Sequence, residues 1–128
     1  MSKPELVRWQ NECSDSDELY FNKLIDVGRP VFSVTDNGKV FDFIFEEIGP
    51  YRVIDEAFLT YDPIVGETSW TCIVNNSVWA QEFSVILEGI YFTDGLVHYI
   101  ILTYDACFEA LAPKPPRIEV RNLEIAVK

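Results

Sequence analysis

The period of hydrophobic and polar positions changes at Pro30. Ahead of it, Leu6, Val7 and Trp9 gather near one face, and Pro4 suits a first helical turn, so a short helix is predicted over 4–12. Ser14-Asp15-Ser16-Asp17-Glu18 then offers cap oxygens and acidic first-turn residues. Behind it Leu19, Tyr20, Lys23, Leu24 and Val27 recur at spacings of one, three and four, and Gly28 stands where a helix would close. The pattern predicts a second helix near 16–27.

After Pro30 the period is two. In VFSVTDNGKVFDFIF the triplet Asp36-Asn37-Gly38 is a hairpin turn, because asparagine and glycine accept positive φ at low cost. Phe41, Phe43 and Phe45 share one face of the second strand, and Asp42 and Glu46 point the other way. Breaks at 48–50, 61–67, 75–77 and 93–95 delimit further strands near 51–60, 68–74, 78–92 and 96–105. The run VWAQEFSVILEGIYF is long for one strand, so it is predicted to bend at Gly89, with Trp79, Phe83, Val85, Leu87 and Tyr91 on one face. It would pair with LVHYIILTY through a turn at Thr93-Asp94-Gly95.

In LVHYIILTY both faces are apolar, as in a central strand covered on both sides: Leu96, His98, Ile100, Leu102 and Tyr104 on one, Val97, Tyr99, Ile101 and Thr103 on the other. The alanine-rich DACFEALAP reads as one or two helical turns ended by Pro113, and Pro113-Lys114-Pro115-Pro116 as a stiff connector. The closing RIEVRNLEIAVK alternates up to Val120 and resumes at Leu123, a final edge strand with a register break at Asn122. The expected fold is therefore α+β: two N-terminal helices packed on a strongly curved, mostly antiparallel sheet of five to seven strands, a cone or partly open barrel. Its element order resembles that of the nuclear-transport-factor-like cones, a resemblance without a shared motif.

Length adds one constraint, since 128 residues suit a single domain over 1–128. No apolar run reaches the roughly 18 residues a membrane span needs, and the N-terminus lacks a signal-peptide core, so the expectation is a soluble, cytoplasmic protein with no membrane partner. Cys13, Cys72 and Cys107 are odd in number and widely spaced, which indicates neither a disulfide framework nor a zinc cluster.

Charge changes the picture most. The formal net charge is −11, from 21 acidic and 10 basic residues, and it is unevenly spread. Residues 53–113 hold nine acids and no base, while residues 114–128 hold four bases and two acids. Such a balance excludes a nucleic-acid partner, because a phosphate backbone is bound chiefly through lysine and arginine. It suits a basic protein partner, attracted by the turn carboxylates Asp55, Glu56, Asp62, Glu67 and Asp94, with Tyr61 and Trp70 as aromatic anchors.

Candidate chemistry is sparse. His98 is the only histidine and so the only catalytic candidate, a general base that Asp94, Glu88 or Asp55 would orient. Without G-x-S-x-G, H-x-x-x-H or a glycine-rich phosphate cradle, no nucleophile, metal site or cofactor is indicated. Two functions follow. The first is an acidic, non-enzymatic module that binds and inhibits a basic protein, as an immunity protein or phosphate mimic does. The alternative is a small-ligand binder or lyase/isomerase with an aromatic pocket formed by Phe41, Phe43, Trp79, Phe83 and His98. The basic C-terminal strand could also pair copies of the chain into a homo-oligomer.

Overall fold

The computed structural model describes residues 5–14, 16, 18–26, 28–36, 38–55, 70–87 and 96–122. Among them are nine strands in two antiparallel sheets and one helix. In chain order these are β1 (Glu5–Arg8), β2 (Tyr20–Asp26), β3 (Pro30–Asp36), β4 (Lys39–Ile44), β5 (Tyr51–Asp55), β6 (Thr71–Asn75), α1 (Val78–Leu87), β7 (Val97–Leu102), β8 (Ala106–Ala112) and β9 (Arg117–Asn122). One sheet has the order β1-β6-β7-β8-β5 and the other β2-β3-β4-β9. The fold is thus mostly β rather than α+β, with neither two N-terminal helices nor a closed barrel or cone.

A bulge explains the second missing helix. In β2, Phe21 faces Val34 and Leu24 faces Phe32 on β3, and the register slips by one residue between Phe21 and Lys23. Asn22 is the extra residue, so Phe21 and Leu24 both pack on the core although they lie three apart. A bulged strand thereby imitates helical spacing. The first predicted helix is instead β1, whose Leu6 lies opposite Val74 on β6.

The opposite substitution occurs at 78–87, where the first part of the expected bent strand is α1; 88–92 lie outside the described residues. Asn76 adopts a left-handed conformation (φ 59°) that turns the chain out of β6. Ser77 then caps the helix: its Oγ accepts the Ala80 N–H at 3.1 Å, and its carbonyl accepts the Gln81 N–H at 3.1 Å. Trp79, Ala80 and Phe83 form one small cluster with Leu96 on the loop before β7 and Leu111 on β8. The turn expected at 93–95 lies outside the described residues; β7 pairs not with 78–87 but with β6 and, through Thr103-Tyr104-Asp105, with β8. The alanine-rich 106–112 is strand β8, buried along its whole length between β7 and β5. Alanine there is a matter of space, and burial on both faces outweighs its helical propensity.

Other expectations hold. Asp36 pairs with Lys39, so β3 and β4 are joined by a two-residue turn at 37–38, with Gly38 at φ 94°. Phe41, Phe43 and Phe45 lie on one face, and β9 forms a sheet edge along β4.

The sheets meet face to face around an aromatic core. Phe32 stacks on Phe108 with centroids 4.5 Å apart, Phe45 meets Phe108 and Tyr99, and Trp9 bridges Phe43 and Tyr99. At roughly 1.5–3 kcal/mol for each large apolar side chain buried, this layer is the dominant favourable term. It also sorts the residues of β7. Tyr99 and Ile101 point between the sheets, and His98 and Ile100 point to the outer face of the five-stranded sheet.

Candidate functional site

His98 is 2% exposed on that outer face, and the side chains around it come from three other elements. Nδ1 lies 2.7 Å from the Ser77 Oγ at the cap of α1, and Nε2 lies 2.6 Å from Oε1 of Glu109 on β8. Glu109 is fully buried and meets Arg52, its register partner on β5, through Arg52 Nε to Oε2 at 3.2 Å and an Nη2 bond to Oε1 at 3.4 Å. The Arg52 guanidinium sits 4.1 Å from the Trp79 ring centroid, and Trp79 meets the imidazole edge-on at 5.1 Å. Serine, histidine, glutamate and arginine thus form a continuous chain from α1 across β7 and β8 to β5.

The hydrogen-bonding order follows from the groups themselves. A carboxylate only accepts, so Nε2 donates to Glu109; in the neutral imidazole Nδ1 then accepts the Ser77 hydroxyl, whose oxygen also accepts the Ala80 N–H. Serine, histidine and carboxylate follow one another as in an acyl-transfer triad, but with the two ring nitrogens exchanged: the serine is on Nδ1 and the carboxylate on Nε2. The surroundings do not favour attack, however. Ser77 is 5% exposed, its oxygen already caps the helix, and the negative charge of Glu109 is matched by Arg52. Every member is satisfied internally. The chain's chemistry is that of a buried polar network tying the first turn of α1 to the sheet.

The predicted pocket is divided by the five-stranded sheet. Trp79, Phe83 and His98 are on its outer side, whereas Phe41 and Phe43 belong to the core between the sheets, so the five line no common cavity. Asp94 and Glu88 lie outside the described residues, and among those described the carboxylate that meets His98 is Glu109. Reading 106–112 as helix hid it; as a strand, Cys107, Glu109 and Leu111 alternate onto the face that β7 gives to His98.

Of the predicted partner-binding residues, Asp55 ends β5 opposite Ala106, and Glu56, Tyr61, Asp62, Glu67 and Asp94 lie outside the described residues. Trp70 is half-buried; its Nε1 donates to the Ser16 carbonyl at 2.8 Å and its ring meets Tyr104 edge-on at 5.3 Å. Tyr104 in turn lies beside Tyr20, with centroids 5.4 Å apart, and both are exposed. An aromatic surface therefore does include Trp70, but its accessible rings are Tyr20 and Tyr104.

Several bases of the described residues are drawn into internal pairs. Besides Arg52 with Glu109, Arg121 holds Asp42 at 3.0 Å, Lys114 lies 3.5 Å from Glu47, and Arg117 approaches Glu46 and Glu119. The three cysteines are buried, and burial above all pushes the Cys13 and Cys107 thiols up to about 12. Among the described residues no group of three or more His, Cys, Asp or Glu side chains could hold a metal ion, and no helix is long and apolar enough to cross a membrane. No family model matches the chain, and no curated protein or solved structure matches it either.

Proposed function

We propose that the protein is an acidic, non-enzymatic interaction module that captures and inhibits a basic protein in the cytoplasm, as an immunity protein or a phosphate mimic would. The observation that carries this reading is the stretch 53–113, with nine acids and no base, in a chain of net charge −11. Internal pairing of Arg52, Lys114, Arg117 and Arg121 adds to it, because those cations are engaged with the chain's own carboxylates. A one-signed surface steers an oppositely charged partner and repels nucleic acid. The alternative, small-ligand or lyase chemistry at His98, has less support, since both ring nitrogens are already bonded.

The test is capture of basic proteins at low and high salt by the wild-type chain and by a variant with Asp55, Glu56, Asp62, Glu67 and Asp94 changed to Lys. Loss of capture in the variant supports the module. Undiminished capture removes it.

A second reading, pairing of two copies through β9, is favoured by one feature. This edge strand runs in unbroken register along β4 without a bulge, sets Ile118 and Val120 opposite Phe43 and Phe41 and leaves Val120 46% exposed, with the charges Arg117, Glu119 and Arg121 alternating with them. Sedimentation of the wild type against Val120→Lys checks it: a dimer lost in the variant supports pairing, and a monomeric wild type ends it.

A further inference from the structure

We infer that the paired rings of Tyr20 and Tyr104, flanked by Glu18 and Asp105, are the point at which an arginine of the basic partner docks. The inference rests on the interaction-module reading and gives it an address.

Three separate segments build the surface. The strand entry 18–21 brings Glu18 and Tyr20, the β7–β8 turn brings Tyr104 and Asp105, and Trp70 backs Tyr104. Backbone bonds hold them together: Tyr104 N–H to the Leu19 carbonyl at 2.9 Å, Leu102 N–H to the Trp70 carbonyl at 2.7 Å, and Phe21 N–H to Asp105 Oδ1 at 2.8 Å. Thr103 Oγ1 donates to the same Asp105 oxygen at 2.9 Å. The surface is thus pre-ordered, which lowers the entropic cost of binding. Yet Tyr20 and Tyr104 remain 44% and 45% exposed, side by side, which is unusual for large rings that a core could take.

Charge selects the occupant. Among the described residues no base pairs with Glu18 or Asp105, and Asp105 Oδ2 has no partner there. The Glu18 carboxylate foremost, then burial and the Tyr20 hydroxyl's bond to Glu18 at 3.5 Å, with Tyr104 and Asp105 adding less, hold the Tyr20 phenol above its ordinary value, so carboxylate charge is felt at this ring. Ring faces attract cations, and a guanidinium can lie flat on a ring while its edge donates to carboxylates on either side. A lysine ammonium offers the charge without the flat fork.

The experiment is a titration of isotope-labelled protein with a hexa-arginine peptide at about 0.15 M salt, where weak long-range attraction is screened, followed by amide and indole NMR shifts. Hexa-citrulline, of the same shape but neutral, is the control. The expected result is saturable binding with shifts concentrated at residues 18–21, 103–105 and the Trp70 indole, and no response to hexa-citrulline. Tyr20→Leu, Tyr104→Leu and Glu18→Gln should each weaken binding by about three- to tenfold. Binding whose shifts lie elsewhere, or that these variants leave unchanged, overturns the docking point and leaves the module reading standing. Shifts in this patch that depend on protein concentration without peptide would assign it to a second copy, also against the inference. Absence of any saturable binding contradicts both.

Discussion

His98 Nε2 stands 2.6 Å from Glu109 Oε1, between two strands that pair in unbroken register, with the imidazole 2% exposed and the carboxylate not exposed at all. Arg52 and His98 replace part of the water such a carboxylate loses on burial. Glu109→Ala would leave the Arg52 and His98 donors without their acceptor, and the expected loss of unfolding free energy is about 3–5 kcal/mol. Ser77→Ala removes only the helix cap and one hydroxyl bond, and about 1–2 kcal/mol is expected. Urea titration of both variants measures the difference; equal, small effects would show that the network contributes little.

On the outer face of the four-stranded sheet, Asp42 is bonded by the Ser33 hydroxyl and by Arg121. Burial pushes its carboxyl up, but those two bonds and the Arg121 charge outweigh it and hold it below its ordinary 3.8. A carboxyl lowered by folding takes up its proton first in the unfolded chain. Its contribution is therefore present above about pH 3.8 and is lost as pH falls through the folded value. Asp42→Asn should flatten that acid limb of the stability curve and cost about 1 kcal/mol at neutral pH, a modest figure because Arg121 is half exposed. Stability against pH for the two proteins is the check, and identical acid limbs would contradict the assignment.

The thiols titrate in the opposite sense. Cys13 and Cys107 are held at about 12 against an ordinary 9.0, chiefly by burial, so the unfolded chain releases its thiol protons first as pH rises. Stability should fall progressively above pH 9, and a colourless-to-coloured thiol reagent should find the native protein unreactive until denaturant is added. Rapid reaction of two or three thiols in native buffer would show that these side chains are reached by solvent.

At the β3–β4 turn, a side chain added to Gly38 would meet nothing within 4 Å, yet the backbone φ is 94°. Gly38→Ala therefore isolates the conformational cost, about 1–2 kcal/mol, from any clash. Loss of much more than this, read by thermal unfolding, would indicate that the turn does more than reverse the chain.

The legible parts of the sequence were those where one period and one turn agreed. The hairpin through 37–38, the Phe41-Phe43-Phe45 face and the edge position of β9 required only alternation and a glycine. The errors came where a tertiary feature altered the apparent period. The bulge at Asn22 set Phe21 and Leu24 three apart, and alanines selected for close packing in β8 read as helix formers. Conversely, in 78–87 Trp79 and Phe83 fit period two and helical spacing equally well, and the cap at Ser77 was the deciding signal. Glu109 was lost as a consequence of the β8 error. With a hairpin through 103–105 its place opposite Ile100 puts it on the His98 face. Nothing in the linear pattern connected Tyr20 with Tyr104, since the contact joins residues far apart in the chain.

The central claim, that this is an acidic module for a basic protein, is tested most directly by affinity capture with the wild type and the Asp55, Glu56, Asp62, Glu67, Asp94 charge-reversed variant. Both are compared across rising salt, with retained proteins identified by mass spectrometry. The expected result is a basic protein held by the wild type, released as salt rises and absent from the variant. Retention of the same proteins by both chains, at all salt concentrations, would contradict it.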